Sequence, residues 1–483
     1  MSHYAGADRR TLLKGAGGLL LGSLIAPGDT AALERDAEEV RPLPARNHTL
    51  IRNAYVMTMD AAGDLPNHDI RVEHGEIAAI GKDLPSEGAQ VINGDGCIVL
   101  PGFVETHWHM WTTMVRGVNG TNAIDGYLAA TTTVSTAYTA QDMYLSALLS
   151  AAEAINAGMT TVHDWCHNVQ NLDFALADIK ALQQSGLRAR FSYGPTRTTP
   201  LTRPIDIASV EKLHSDWPAH SSGGLIHLGI AWRGVQGAFT ENGRSETRML
   251  DASVWKTEYD AAARMGLPLT MHLNDKGHVA ALARLGLLNR DLQLIHCLVA
   301  TPDEVAAIAA AGTNVCFAPF VEVKSVEGAI PIAEFSEKGI PIGLSIDSSP
   351  LAGSTDMFAA MRLTVNVPAL RSRREYRLPS RRALELATIE GARTLGLGDQ
   401  SGSLVKGKRA DLIMVRTDDA NMAPFIDPAF MLVNQAQPAN VDTVMVDGRI
   451  LKRAGKLTAL NVHGLAIAVS DASRALRTRA RLS

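Results

Sequence analysis

Two histidines separated by one residue are the most chemically informative feature of this 483-residue chain. His107 and His109 end an apolar segment that begins at Leu100. In an extended strand, residues two apart point to the same side, so both imidazoles could bind one metal ion. The spacing alone decides little, because such pairs also arise by chance among 15 histidines. The segments around the pair must therefore show what it does.

Short apolar runs recur along the chain, with helix-like stretches between them. They cover residues 97–105, 160–165, 189–195, 225–233, 268–274, 292–298, 313–320 and 341–349. Strands rich in Val, Ile and Leu that alternate with helices are typical of parallel sheets buried on both faces. Eight such units predict an α/β fold with a closed (β/α)8 TIM barrel, and an open doubly wound sheet is the competing architecture.

The connecting stretches carry helix signals of their own. Thr301 supplies an N-cap, Pro302 occupies the first helical position, Glu304 completes a capping box, and Gly312 ends the run. Residues 141–156 form another helical run, which ends before Gly158. These signals support the alternation of strands and helices.

Polar residues that can bind metals or transfer protons close several of the apolar runs, where barrel enzymes place their active sites. They are His107 and His109 at the first strand, His163 and Asp164 at the second, His272 at the fifth, His296 at the sixth and Asp347 at the eighth. Three imidazole nitrogens, one carboxylate oxygen and a water would form a site for a divalent first-row metal ion with an open position for substrate. For each histidine alone, a buried ring bonded to a backbone carbonyl is an equally good explanation.

At these residues the chain resembles the amidohydrolase superfamily, in the branch of cytosine deaminases, guanine deaminases and triazine chlorohydrolases. The resemblance rests on PGFVETHWH at 101–109, on His272, on LIHC at 294–297 and on GLSID at 343–347. It implies a barrel at 101–400 and a small β-sandwich built from both chain ends, at 48–100 and 401–460. GKRADLI at 407–413 is similar to the GxxADL signature of that family. A helical tail at 461–483 completes the predicted domain order.

The resemblance also implies a role for each site residue. His107, His109, His272 and Asp347 would bind the metal ion, Asp347 would accept a proton from the attacking water, and His296 would polarise the substrate or leaving group. Members with two metal ions bridge them through a carbamylated lysine at strand four, and residues 225–233 contain no lysine. One divalent ion is therefore expected, with zinc favoured and iron as the alternative.

Two departures from the family pattern bear on the reaction. Deaminases of this branch carry a glutamate three residues after the strand-five histidine, which protonates the ring and the leaving amine, and this chain has Asp275 there. Asp275 could act with a shorter reach, or it could be an acidic residue at a helix N-terminus. After strand seven, relatives often have a Ser-Asn pair, whereas residues 318–324 read APFVEVK. Both departures argue against ordinary purine or pyrimidine deamination.

Aromatic and basic residues near the strand ends are candidates for the substrate pocket. The aromatic candidates are Trp108, Trp111, His163 and His167. These side chains would line the entrance to the active site and contact a planar, weakly polar substrate. Alternatively, each of them packs in the protein core or at the rim of the barrel. Tyr193 and Arg197 near strand three and Arg233 near strand four could bind an anionic or carbonyl group, or the arginines could form surface salt bridges.

Residues 1–32 look like a bacterial twin-arginine signal peptide. Arg9 and Arg10 precede an uncharged, Gly-rich apolar run at 16–26, which is too short to span a bilayer. Such a signal would engage the Tat export machinery and carry a folded, cofactor-loaded enzyme to the periplasm. Residues 33–47 would then be a linker. A mobile arm on a cytoplasmic protein is the alternative.

The composition is that of a globular enzyme. Hydrophobic residues make up 46% of the chain and charged residues 20%, enough for a barrel core and a satellite domain. A net charge of -4 gives no reason to expect a nucleic acid or an anionic membrane as partner. The four cysteines, Cys97, Cys166, Cys297 and Cys316, fall in or beside predicted strands and are expected to be buried thiols.

The sequence thus predicts a mononuclear metal-dependent hydrolase that activates water to attack an sp2 carbon of a small nitrogen-containing compound, cleaving a C–N bond other than a peptide bond. Hydrolytic deamination or dehalogenation of a heterocycle is the alternative within this class. The alternative from another class is a catalytically silent periplasmic binding protein. A stable membrane span is not expected, and a homo-oligomer is expected by analogy only.

Overall fold

The computed structural model describes residues 40–118, 124–241, 244–324, 330–367 and 378–482. The predicted signal peptide at 1–32 lies outside these residues, as does the first part of the predicted linker. Within the described ranges, no helix combines the length and the apolar character needed to cross a membrane.

The first strands of the chain form part of a sheet beside the barrel. They are β1 (Thr49–Met57), β2 (Asp64–Glu73), β3 (Glu76–Gly81), β4 (Gln90–Asn93) and β5 (Cys97–Pro101). β2 is antiparallel to both β1 and β3, whereas β4 and β5 run parallel to β1. Ile51, Val56 and Val99 from these strands are buried in a small core separate from that of the barrel.

The barrel follows, and each of its eight strands overlaps a predicted apolar run. In chain order the next strands are β6 (Phe103–Trp108), β7 (Met159–Cys166), β8 (Arg188–Tyr193), β9 (Ile226–Ala231), β10 (Gln236–Glu241), β11 (Arg244–Met249), β12 (Leu269–His272), β13 (Leu292–Ile295), β14 (Asn314–Phe317) and β15 (Ile342–Leu344). β10 and β11 form a separate antiparallel hairpin. The other eight pair in parallel in the order of the chain, from β6 to β15.

β15 and β6 close the barrel at their carboxyl ends. The backbone N–H of His109 donates to the carbonyl of Asp347 (2.7 Å), and the N–H of Asp347 donates to the carbonyl of His107 (3.1 Å). The buried carboxylate of Glu105 accepts hydrogen bonds from the backbone N–H groups of His107 (3.0 Å) and Ile346 (2.7 Å). These contacts between the first and last strands confirm the barrel and exclude the open doubly wound sheet.

The prediction of one barrel strand at 97–105 was wrong in its bounds. The chain leaves the outer sheet after Pro101 and enters the barrel at Phe103, so Gly102 lies between two different sheets. A Cβ atom at Gly102 would overlap the side chain of Thr160. Only glycine, which has no Cβ atom, allows β6 to start this close to β7. The boundary between the two sheets is not visible in the sequence, because residues 97–105 form one continuous apolar run.

Helices connect the barrel strands. The described α-helices are α1 (Ile124–Ser135), α2 (Ala140–Asn156), α3 (Leu172–Ser185), α4 (Ile207–Ser215), α5 (Trp217–His220), α6 (Ala252–Met265), α7 (His278–Arg284), α8 (Pro302–Ala311), α9 (Pro319–Lys324), α10 (Ile332–Glu337), α11 (Ser349–Ala352), α12 (Met357–Asn366), α13 (Ser380–Leu386), α14 (Ile389–Thr394), α15 (Pro428–Asn434) and α16 (Val462–Arg479). The predicted capping box of α8 is present: Thr301 and Glu304 each accept a hydrogen bond from the other's backbone N–H. Gly312 ends α8 in the left-handed conformation, with φ of 65°.

The last strands complete the outer sheet. They are β16 (Leu412–Arg416), β17 (Val441–Val446), β18 (Arg449–Arg453) and β19 (Lys456–Leu457), and β16 pairs antiparallel with β5. Strands from both ends of the chain therefore share one nine-stranded sheet. A buried ion pair joins this sheet to the barrel, because Arg188 of β8 donates through Nε to Asp411 just before β16 (2.6 Å).

Candidate metal centre and active site

Three of the predicted ligands lie together at the carboxyl ends of β6 and β12. One ring nitrogen from each of His107, His109 and His272 lies within 4.8 Å of the others. His107 is fully buried, and neither of its ring nitrogens has a hydrogen-bond partner in the described part of the chain. Burial, reinforced by the neighbouring imidazoles, lowers the pKa of His107 well below its usual value. A neutral buried imidazole with no partner is suited to bind a metal ion.

His109 presents a defined nitrogen to this cluster. Its Nδ1 lies 2.9 Å from the carbonyl oxygen of Trp165. A carbonyl can only accept, so Nδ1 must carry the proton and Nε2 keeps a free lone pair. Metal-binding histidines are commonly oriented in this way through their second nitrogen.

Asp347 brings a carboxylate to the same place. Its Oδ1 lies 3.5 Å from Nε2 of His109 and 4.0 Å from Nε2 of His107. Burial raises the pKa of Asp347 to about 6, although the charges of His296 and Arg197 act in the opposite direction. The structure thus places Asp347 beside two of the three histidines predicted to bind metal with it.

His296 lies beside Asp347, held between two carboxylates. Its Nε2 is 3.4 Å from Oδ2 of Asp347, and its Nδ1 is 3.1 Å from Oε1 of Glu322. The same Glu322 oxygen accepts the backbone N–H of Ala318 (2.8 Å), and the glutamate is buried. The backbone φ angles of His296 and Asp347 are 76° and 63°, values that residues other than glycine rarely adopt. Strain of this kind often marks functional positions.

Sequence reasoning missed two carboxylates of the site. Glu322 was noted only as part of a departure after strand seven, yet it lies in α9 directly after β14. Glu105 lies inside the PGFVETHWH motif and ties β6 to β15 through backbone N–H groups. The available signal was position: a carboxylate within one turn of a barrel strand end is placed to reach the mouth.

Asp275 is not one of the residues of the histidine cluster. Its Oδ1 accepts a hydrogen bond from Oγ1 of Thr247 (2.9 Å) on β11, and its side chain is partly exposed. The hairpin of β10 and β11 is inserted between β9 and β12, and the pattern of apolar runs did not predict it. Asp275 therefore has a structural partner in this conformation.

The aromatic candidates differ in their surroundings. Trp108 is fully buried, and the indole N–H of Trp111 donates to Nδ1 of His167 (3.2 Å). The ring of His167 in turn lies 4.1 Å from that of His109, centre to centre. His163 is bonded through Nδ1 to the carbonyl of Thr106 and through Nε2 to Oγ of Ser192, both at 2.8 Å. Neither nitrogen of His163 is free to bind a ligand.

Asp164, the acidic residue at the end of strand two, lies in a cluster separate from the three histidines. Asp164 is buried beside Asp178 of α3, and Cys166 donates to Asp178 (3.1 Å). Burial raises the pKa of Asp164 to about 7, and burial followed by the charge of Asp164 raises the pKa of Asp178 well above its usual value.

Comparison with known proteins agrees with this geometry. A family model described as the amidohydrolase family matches residues 98–451. The chain belongs to the amidohydrolase family. It is a metal-dependent hydrolase that acts on carbon–nitrogen bonds, which argues against a catalytically silent binding protein.

Curated relatives of this amidohydrolase include two groups of deaminases. It is 28% identical to a 5'-deoxyadenosine deaminase of Methanosarcina mazei over 435 residues, covering 85% of this chain and 94% of the relative. It is 25% identical to a 5-methylthioadenosine/S-adenosylhomocysteine deaminase of Desulforamulus reducens over 427 residues, covering 84% and 93%.

Solved structures share the fold of this amidohydrolase. An adenosine deaminase from Xanthomonas campestris with bound zinc has a TM-score of 0.77 and 22% identity, covering 92% of this chain and all of that one. An atrazine chlorohydrolase from Arthrobacter aurescens complexed with zinc has a TM-score of 0.76 and 21% identity, covering 88% of this chain and all of that one. These likenesses support the barrel and the added sheet.

The donor set of this amidohydrolase fits a metal ion. Three imidazoles lie together with the carboxylate of Asp347 beside two of them, and the ring nitrogens of the buried His107 have no hydrogen-bond partner among the described residues. Nitrogen and oxygen ligands of this kind suit zinc and other divalent first-row ions.

Proposed function

We propose that this enzyme is a hydrolytic deaminase of an aminated heterocycle, in which water replaces an amine on an sp2 carbon. His107, His109, His272 and Asp347 would bind one divalent ion, with zinc favoured. The observation that carries the proposal is the Glu322, His296 and Asp347 chain beside the three histidines. The two groups of deaminase relatives support the choice of leaving group.

The chemistry divides between the ion and the side chains. When bound, a divalent ion lowers the pKa of a coordinated water and polarises the substrate. Asp347 lies where it can accept the proton released as water attacks the ring carbon. That attack forms a C–O bond, and the amine then leaves with its bonding electron pair.

His296 supplies the proton that the leaving amine needs. Burial alone would lower the pKa of His296, but the hydrogen bond to Glu322 and the charge of Asp347 outweigh it and raise the pKa. A protonated His296 can donate through Nε2 while Glu322 holds Nδ1. The proton taken by Asp347 can return to the amine through this imidazole, so ammonia leaves and the ring keeps the oxygen.

This arrangement replaces the acid that deaminases of the family carry after strand five. Asp275 has a hydrogen-bond partner on the hairpin, which supports a role outside proton transfer. Hydrolysis of an amide, urea or ring lactam is the second candidate, because those reactions depend less on a separate acid after strand five. Dehalogenation has only the fold likeness to the chlorohydrolase in its favour.

Metal analysis and ammonia release together test the proposal. Purified protein should contain about one divalent ion per chain, and it should release ammonia from members of a panel of aminated heterocycles, amides and ureas. Turnover of amino-heterocycles should survive Asp275→Asn and fall in Glu322→Gln. Turnover restricted to amides or ureas would replace deamination with the second candidate.

We also infer that the paired arginines Arg9 and Arg10 direct export by the twin-arginine route, an inference that rests on the sequence alone. Changing both to lysine should retain the full-length protein in the cytoplasm of a bacterial host, whereas the parent should be recovered in the periplasmic fraction. Equal distribution of parent and variant would favour the cytoplasmic alternative.

A further inference from the structure

Among the residues that the structure describes, Arg197 has no counterion at the mouth of the barrel. It follows β8, and its guanidinium carbon lies 5.6 Å from the centre of the Tyr127 ring on α1. Its Nε is buried and has no hydrogen-bond partner, and none of the ion pairs among the described residues includes it. An unpartnered buried donor is destabilising unless a ligand satisfies it.

A buried Nε without a partner also occurs in Arg190, Arg233 and Arg362, but each of these donates a hydrogen bond through a terminal nitrogen. Arg233, after β9, donates to Glu258 (2.6 Å) and to the carbonyl of Pro200 (3.0 Å). Arg188 forms two bonds with Asp411. Each of these guanidinium groups therefore has at least one partner, whereas Arg197 has no hydrogen bond or ion pair through any nitrogen among the described residues.

Arg197 lies on the same side of the barrel as the histidine cluster. It follows the end of β8 at Tyr193, and β8 pairs in parallel with β7 and β9. Because the carboxyl ends of parallel barrel strands meet at one mouth, the loop that carries Arg197 lies at the same mouth as His109 and His272.

Tyr127 holds the guanidinium in this place. Its side chain is buried among Ala318, Val321 and Leu351, at the ends of strands seven and eight. An arginine above an aromatic ring is attracted to the ring face and keeps its N–H groups free at the edges. Arg197 therefore reaches from the loop after strand three toward the opposite side of the mouth.

We propose that Arg197 binds a carboxylate carried by the substrate, on the part of the molecule away from the reacting carbon. The substrate class becomes an anionic amino-heterocycle, an inference that rests on the proposed function. A single planar guanidinium matches the two oxygens of one carboxylate. Tyr127 acts as a positioning residue for this contact.

Calorimetric titration with nicotinate and nicotinamide tests the assignment. The two probes share a ring and differ in carrying a carboxylate or a neutral amide. Each probe is titrated into four metal-containing proteins, which are the parent and the variants Arg197→Gln, Arg197→Lys and Arg203→Gln. Arg203 lies in the same loop with an exposed side chain, so its variant is a matched loss of charge.

The parent should prefer nicotinate, and Arg197→Gln should reduce that preference by about tenfold to a hundredfold, as expected for loss of a charge-assisted hydrogen bond. Arg197→Lys should give an intermediate preference, because it keeps the charge without the planar fork. Arg203→Gln should leave the preference unchanged. An unchanged preference in Arg197→Gln, or no nicotinate binding by the parent, overturns the assignment.

The binding measurement separates this inference from the proposed reaction. A preference for nicotinate that depends on Arg197, together with no ammonia release from any heterocycle, would retain the carboxylate site and reject deamination. Ammonia release from a heterocycle, with nicotinate binding unchanged in Arg197→Gln, would retain deamination and reject the carboxylate site.

Discussion

Replacing Glu322 with glutamine should slow turnover by about tenfold to a hundredfold and leave the metal content unchanged. The carboxylate accepts Nδ1–H of His296 at 3.1 Å, and a hydrogen bond to a charged group contributes about 1.5–3 kcal/mol. About 1.4 kcal/mol corresponds to a factor of ten in rate, which gives the stated range if the interaction is felt mainly in the transition state. Glutamine keeps the shape and one oxygen acceptor, while it removes the charge and replaces the other oxygen by an NH2 group.

The pH dependence should shift with a defined sign. Glu322 helps to raise the pKa of His296 against burial, so its neutral replacement lowers that pKa. If protonated His296 delivers the proton, activity falls as pH rises through its pKa, and this limb should move to lower pH in the variant. The assay is ammonia release, with kcat and KM measured separately across pH.

A matched variant distinguishes this role from general loss of a buried acid. Glu304 is buried on α8, where its carboxylate binds Thr301 and the backbone N–H of Ala280. Glu304→Gln should reduce stability without moving the pH profile. The reasoning is refuted if Glu322→Gln matches the parent in rate and pH profile. Loss of the metal ion from Glu322→Gln would instead assign Glu322 to metal retention.

Further predictions concern the ion, the strand-five acid and the junction between barrel and sheet. His107→Ala should lose both the ion and ammonia release, as should the parent after chelation, and elemental analysis with activity on added zinc checks both. Asp275→Asn should keep ammonia release within about twofold of the parent, since its carboxylate meets Thr247. Asp411→Asn should lower the free energy of unfolding by about 3–5 kcal/mol, because it leaves the charge of Arg188 buried without a partner, and denaturant unfolding measures this.

The barrel could be predicted from the sequence because its signals are local and repeated. Each apolar run reports a strand, and capping residues such as Thr301 report where helices begin. Parallel strands then place their carboxyl ends at one mouth, so residues as distant as His107 and Asp347 meet by topology alone. Topology thus gave the candidates at the strand ends, and the resemblance to the amidohydrolase superfamily implied which four of them would bind the metal ion.

The rest of the site depends on loops, whose paths follow no periodic signal. Asp275 occupies the position of a family acid, yet a hairpin at 236–249 supplies it with a partner. Glu322 lies in a segment that reads as a departure, and only the short α9 turns its carboxylate to His296. The boundary between the outer sheet and the barrel at Gly102 could not be predicted for a similar reason, because the strands on both sides of it are apolar.

Barrel closure and the proposed metal site use the same residues, and this has a physical consequence. The backbone bonds between His107, His109 and Asp347 join β6 to β15, while Glu105 adds two N–H contacts across that seam. The left-handed φ of Asp347 is unfavourable by about 1–3 kcal/mol, and these bonds hold it there. Folding of the barrel therefore fixes the carboxylate beside the imidazoles before any ion binds. An ion would then meet the proposed ligands already in position, and its binding energy would not be needed to order them.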